Sequence, residues 1–195
     1  MKNLMLVLVV TLSVFSCKNE AKKEIINEHE NHNATAVEDA PKKKVLSPHT
    51  AAMAMVGDAH VHIDYSSPGV RDRVIFGGLV GYDNVWQAGA HKATWIETNK
   101  DLIINGKVLP KGKYGFFTIP TKGDWILIFN KNWEQHGKDD YDEKDDVLRF
   151  TTTPELSDVI TEQLTYKVDK ISDTEGTITF AWEKVTLTIP FTVKQ

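Results

Sequence analysis

His60, His62 and Asp64 alternate along a run of apolar residues, and all three side chains can ligate a metal ion. In a β-strand, residues two apart point to the same face, so both imidazoles and the carboxylate would form one column. His91, in a glycine-containing segment, could complete a ligand set for a divalent transition metal. The alternative interpretation of this pattern is the solvent-facing polar side of an edge strand. No other cofactor is indicated.

The segment between residues 66 and 92 carries a second group of polar and aromatic candidates. A guanidinium donates paired hydrogen bonds to a carboxylate or phosphate, and an indole offers a stacking face to a sugar ring. The predicted ligand-binding residues are Arg71, Arg73, Trp86, His91 and Lys92. In the alternative interpretation, Trp86 belongs to the core and the arginines pair with Asp72 or Asp83.

Sequence motifs of common enzymes do not occur in this chain. There is no Gly-x-Ser-x-Gly, no phosphate-binding loop and no His-Glu-x-x-His. The run from Asp139 to Asp146 holds six acids but lacks the central glycine and terminal glutamate of an EF-hand, which indicates a solvated loop. No catalytic residue is therefore predicted, and the sequence favours a binding protein over an enzyme.

Alternating apolar residues indicate the strands that must position these side chains. The clearest period-two runs are Val61 to Tyr65, Leu164 to Val168, Ile178 to Trp182 and Val185 to Val193. Asn105-Gly106 is a strong hairpin signal, and Trp125 to Phe129 is typical of a central strand. Pro154 to Gln163 is predicted to supply at least one helical turn. We expect an all-β, antiparallel, jelly-roll-like β-sandwich of about eight to ten strands, with at most one short helix.

The N-terminus resembles a bacterial lipoprotein signal. Lys2 precedes twelve residues, Leu4 to Phe15, which are apolar apart from one threonine and one serine. This stretch is too short for a bilayer-spanning helix, which needs about 20 residues. Residues 1–16 are predicted to be the signal peptide, and Cys17 the residue that receives palmitate-type acyl chains. Cys17 is the single cysteine, so an intramolecular disulfide and a cysteine-ligated zinc are excluded.

Residues 17–44 are predicted to tether this anchor to the folded domain. From Lys18 onward the segment has no aromatic residue, and its six lysines balance five glutamates and Asp39. With so few apolar groups it cannot offset the entropy of ordering, so we expect a disordered chain. All tryptophans and tyrosines lie beyond residue 45, so residues 45–195 are predicted to fold as one domain. The lipid would attach it to the outer membrane, facing the periplasm or the cell surface.

Three motifs follow one another along that domain. They are Ile63-Asp64-Tyr65-Ser66-Ser67-Pro68, Val85-Trp86-Gln87-Ala88-Gly89-Ala90-His91-Lys92-Ala93-Thr94 and Pro110-Lys111-Gly112-Lys113-Tyr114. Together with neighbouring motifs from Ser47 onward, they resemble the bacterial family called domain of unknown function 2911 (DUF2911). The resemblance implies a secreted or lipid-anchored β-rich domain, frequent in Bacteroidota, and implies no established activity. Gln87 and His91-Lys92 stand where the family pattern has Arg and Asn-Glu.

The charge distribution narrows the classes of partner. The formal net charge of −4 is spread along the chain without a basic stripe, which excludes a nucleic-acid partner. The preferred prediction is a cell-envelope binding module for a small anionic ligand or a saccharide. The alternatives are a metal-binding protein or metal-dependent enzyme using His60, His62 and His91, and a structural domain that binds another envelope protein.

Overall fold

The computed structural model describes residues 45–195, which form ten β-strands and one 3-10 helix. The strands are β1 His49–Val56, β2 Ala59–Ser66, β3 Trp95–Thr98, β4 Leu102–Ile104, β5 Lys107–Leu109, β6 Gly112–Ile119, β7 Trp125–Asn130, β8 Asp146–Thr152, β9 Glu155–Lys170 and β10 Glu175–Val193. The predicted signal peptide, the lipidated cysteine and the tether lie outside the described residues and stay predictions.

The strands build two antiparallel sheets. The larger has the order β1-β2-β3-β6-β7-β8, and the smaller has the order β5-β4-β10-β9. Their inner faces share one hydrophobic core, to which β2 contributes Ile63 and Tyr65, and β9 and β10 contribute Tyr166, Phe180 and Trp182. Burying each such side chain contributes about 1.5–3 kcal/mol, so the contact between the sheets dominates stability. The predicted antiparallel β-sandwich is confirmed.

Local signals in the sequence mostly gave the expected elements. Asn105 and Gly106 have φ angles of 48° and 72°, as a type I′ turn requires, and they join β4 to β5. The run from Trp125 forms β7, which pairs with β6 on one side and β8 on the other. Within residues 45–195, no helix has the length and apolar character needed to cross a bilayer.

The helical turn predicted for Pro154 to Gln163 is wrong. From Glu155 onward this segment is strand β9, paired with β10 through Glu155 opposite Thr186 and Leu156 opposite Val185. The proline and the acidic residue after it resemble a helix start. Pairing with a long neighbouring strand, and the β-branched residues that follow, outweigh that weak local preference.

The acidic run shapes the connection between β7 and β8. Asp142 caps the 3-10 helix Glu143–Asp145 by accepting a hydrogen bond of 2.9 Å from the Lys144 backbone N–H. The Asp146 carboxylate accepts hydrogen bonds from Asn130 Nδ2 at 2.8 Å and from the Tyr141 hydroxyl. These carboxylates therefore order the loop, whereas Asp139 and Asp140 are solvated as predicted.

Three tyrosines link the stability of the fold to alkaline pH. Burial is the main cause that raises the pKa of Tyr114, Tyr141 and Tyr166. Their contribution to stability is fully present below the unfolded-state pKa of about 10 and is lost as the pH rises toward the folded-state values. We expect the Tm, measured by circular dichroism, to fall progressively as the pH rises above about 10. A Tyr166→Phe variant should show a shallower fall, and equal slopes would contradict this account.

Candidate functional site

The long connection from β2 to β3 is the most strained part of the described chain. Residues 45–195 contain seven non-glycine residues with positive φ, and five lie in this connection: Arg71, Asp72, Asp83, Ala88 and His91. Such angles cost free energy and persist only where the surroundings impose them. Residues with such angles often cluster at functional sites, so this loop is a candidate functional site.

Buried hydrogen bonds hold the second half of the loop against the core. The Trp86 backbone exchanges hydrogen bonds of 2.8 and 2.9 Å with Thr118 of β6. The Ala88 carbonyl accepts from Thr94 Oγ1 at 3.0 Å and from the Tyr166 hydroxyl at 2.8 Å. Gly89 packs so closely that a Cβ there would lie 2.6 Å from Thr94 Oγ1. The loop is therefore fixed from both sheets.

Two tryptophans form the floor of a groove beside this loop. The indoles of Trp86 and Trp182 stack at 5.6 Å between ring centroids, and the two residues are only 8% and 1% exposed. Trp86 Nε1 donates to the Gly89 carbonyl at 3.1 Å. Trp182 Nε1 is buried, and no acceptor among residues 45–195 lies within hydrogen-bonding distance. A buried donor without an acceptor costs about 1–3 kcal/mol.

The groove has a volume of about 380 Å³ and is lined by both apolar and polar side chains. The polar and aromatic lining consists of Asn84, Trp86, Gln87, His91, Lys138 and Trp182, and we call this site the loop groove. Lys138 comes from the β7–β8 connection, which is joined to the loop by a 2.7 Å hydrogen bond from Gly137 N to the His91 carbonyl. The lining includes Lys138 but no carboxylate, so its electrostatic potential favours an anion over a cation.

Two of the five predicted ligand-binding residues, Trp86 and His91, share the loop groove. Trp86 is also a core residue, so both interpretations of that side chain hold in part. Lys92 faces a different groove, on the outer face of the larger sheet. Sequence reasoning missed Trp182 and Lys138. Trp182 belonged to a period-two run that indicated only core, and nothing in the sequence signalled Lys138.

The two arginines lie outside the lining of the loop groove. Arg71 is exposed, and its backbone N–H donates to the Glu162 carboxylate at 3.0 Å. Arg73 is half-buried and donates from Nε to the Val70 carbonyl at 3.1 Å and from Nη2 to the Gly69 carbonyl at 2.6 Å. The Arg73 guanidinium therefore serves the local fold of the loop.

The candidate metal ligands are not brought together. His60 and His62 do share the outer face of β2, with ring centroids 6.0 Å apart, and His62 stacks on Trp95. His91 lies instead on the rim of the loop groove. Among residues 45–195, no group of three or more His, Cys, Asp or Glu side chains is placed to hold a metal ion. Metal binding by these histidines stays a prediction without an assembled ligand set.

The fold and the loop groove define a two-sheet antiparallel β-sandwich with a concave site on one long connection. The chain belongs to the family described as "Protein of unknown function (DUF2911)", whose family model matches residues 47–191. The matched region includes strands of both sheets and every residue that lines the loop groove. Comparison with curated proteins and with solved structures found no match.

Proposed function

We propose that this protein is a binding module of the cell envelope that takes up a small anionic ligand in the loop groove. The observation that carries the proposal is the lining of the loop groove, which combines the ammonium of Lys138 with the side-chain amides of Asn84 and Gln87 and includes no carboxylate. The oxygens of a carboxylate or phosphate would accept hydrogen bonds from these amides. Lys138 would then neutralise the ligand's charge at the rim.

The energetics favour an acceptor-rich ligand. Gln87 and His91 also line the groove and can each present a donor to the ligand. The groove is fixed by the loop's hydrogen bonds before a ligand arrives, so little further ordering opposes binding.

The cellular setting follows from the N-terminal sequence. Acyl chains on Cys17 would anchor the protein to the outer membrane, and the charged tether of residues 18–44 would hold the domain above the bilayer. A small ligand captured at the periplasmic or cell-surface side fits a domain with no predicted catalytic residue. The ligand, the membrane anchor and the location are parts of the same proposal.

The proposal is tested by titrating the purified full-length protein with inorganic phosphate and with succinate, recording the indole signals in ¹H–¹⁵N spectra. We expect one of these anions to shift the Trp182 indole N–H. Loss of a charge-assisted contact at a solvated rim should make Lys138→Gln about three- to tenfold weaker. Lys122→Gln, at an exposed lysine outside the lining, is the matched control and should bind as the unaltered protein does.

Three results would contradict the proposal. The first is a Trp182 signal that neither anion moves. The second is equal binding of tetramethylammonium, since a groove selective for anions should not accept a cation of similar size. Binding that is lost equally in Lys138→Gln and Lys122→Gln would also remove the assignment to the loop groove.

A further inference from the structure

A second groove, of about 480 Å³, lies on the outer face of the larger sheet. Asp64 of β2 and Trp95 of β3 contribute to one side, and Trp133 and Glu134 of the β7–β8 connection contribute to the other. We call this site the sheet groove. Its volume falls within the range of about 300–1,000 Å³ that is common for small-molecule sites.

The Trp95 indole is held rigidly in this groove. On one neighbouring strand, His62 stacks against it with ring centroids 5.0 Å apart and an interplanar angle of 28°. On the other neighbouring strand, the Lys113 ammonium lies 3.3 Å from the centre of the Trp95 ring. The same ammonium lies 3.7 Å from the centre of the Trp133 ring. Each cation–π contact is worth about 0.5–2 kcal/mol, so Lys113 joins the two tryptophans and fixes their orientation.

The backbone is shaped to bring Trp133 onto the sheet. Gly115 of β6 faces the connection, and a Cβ there would lie 3.0 Å from the Asn132 carbonyl and 3.2 Å from Trp133 Cα. The buried Asn130 side chain accepts from the Asn132 N–H at 2.8 Å and donates to the Asp142 carbonyl at 2.9 Å. This wall of the sheet groove is therefore built into the fold, which lowers the entropy cost of binding.

The charges of the sheet groove differ from those of the loop groove. The lining includes two carboxylates, Asp64 and Glu134, and one lysine, Lys92. His49 Nε2 lies 2.9 Å from Asp64 Oδ1, which orients that carboxylate. The lining therefore combines hydrogen-bond donors and acceptors with aromatic surface, and its carboxylates and lysine largely offset one another. This mixture suits a neutral ligand whose hydroxyls both donate and accept and whose ring presents apolar C–H groups.

We propose that the sheet groove binds a neutral saccharide. The sugar ring packs against the Trp133 indole and the edge of the Trp95 indole, whose faces are covered by His62 and Lys113. Its hydroxyls donate to the carboxylates of Asp64 and Glu134. Aromatic side chains bury large apolar area with little loss of rotamer freedom, which suits them to a ring with one apolar face. This second site is independent of anion binding in the loop groove.

The test uses the purified full-length protein with three neutral disaccharides as probes: cellobiose, maltose and N,N′-diacetylchitobiose. We expect at least one of them, at millimolar concentration, to shift the indole N–H signals of Trp95 and Trp133 in ¹H–¹⁵N spectra. Trp133→Ala should bind that probe about tenfold more weakly, and Trp133→Tyr should keep most of the affinity because it retains a ring. Lys138→Gln, in the loop groove, should bind it unchanged.

Three results would overturn the proposal. They are an absence of indole shifts with all three disaccharides, equal affinity in Trp133→Ala, and binding of tetramethylammonium in place of the sugars. Each variant's fold is checked by the unchanged methyl signals of the core residues Ile63 and Ile96, which Trp133 substitution should leave alone. Phosphate or succinate binding in Trp133→Ala reports on the loop groove separately, so failure of one proposal is distinguishable from failure of the other.

Discussion

Replacing Cys17 with serine is expected to move the protein from the membrane fraction almost entirely to the soluble fraction. The serine hydroxyl cannot form the thioether that carries the acyl chains, and one hydrophobic stretch of twelve residues is too short to span the bilayer. Stable anchoring needs more than one acyl chain, so loss of the proposed acylation site should remove it fully. The measurement is fractionation by ultracentrifugation, together with metabolic labelling by palmitate.

The control for this experiment separates processing from anchoring. A variant exported on a cleavable signal peptide without a lipobox should also be soluble, and it should carry no label. Membrane retention of both Cys17→Ser and this control would show that the folded domain itself binds the membrane. That result would contradict the role assigned to Cys17.

Trp86→Ala is expected to lower the free energy of unfolding by about 3–5 kcal/mol, as measured by chemical denaturation. The indole contacts Phe76, Phe180 and Trp182 in the core, and its removal leaves a cavity between the sheets. Because small domains are stable by only about 5–15 kcal/mol, this is a large fraction of the total. The loop groove would lose its floor at the same time.

Trp86→Phe provides the matched comparison. It keeps an aromatic ring in the core but removes the N–H that donates to the Gly89 carbonyl. We expect a smaller loss of stability and a measurable loss of anion affinity, because the loop is less firmly held. If Trp86→Ala were as stable as the unaltered protein, the ring would not be part of the core.

The strands could be predicted from the sequence because alternation is a direct consequence of strand geometry. Val61, Ile63 and Tyr65 are buried, whereas His60, His62 and Asp64 take the opposite face, as the period of two requires. The failure at Pro154 to Gln163 has a different origin. Local helix-start signals there are weak, and the partner that decides the structure, β10, lies further along the chain.

The candidate sites were only partly predictable, because their residues meet through the tertiary fold. Trp86 and His91 come from one sequence motif, and sequence reasoning selected both. Trp182 reaches the same groove from a strand almost one hundred positions away, and Lys138 comes from a connection between two other strands. No periodic pattern or motif in the sequence indicates that these distant residues line the same groove. Residue type alone also cannot show that the Trp182 N–H lacks an acceptor.

The polar residues on the outer face of β2 also show how far prediction from the sequence could go. The column of His60, His62 and Asp64 was predicted correctly as a shared face. The residues of the adjacent strand that contact these side chains could not be predicted from their spacing. The structure places Trp95 beside His62, and the two rings stack. Trp95 and Asp64 line the sheet groove, whereas the spacing of the histidines had suggested a metal site.

The distribution of the five tryptophans gives the protein an optical signature. Trp86, Trp125 and Trp182 are buried, whereas Trp95 and Trp133 are half-exposed at the sheet groove. A water-soluble fluorescence quencher such as iodide will therefore extinguish the emission of the second pair and spare the first three. The tryptophan fluorescence of a single sample can therefore be divided into a quenchable component, which reports on the sheet groove, and a protected component, which reports on the core.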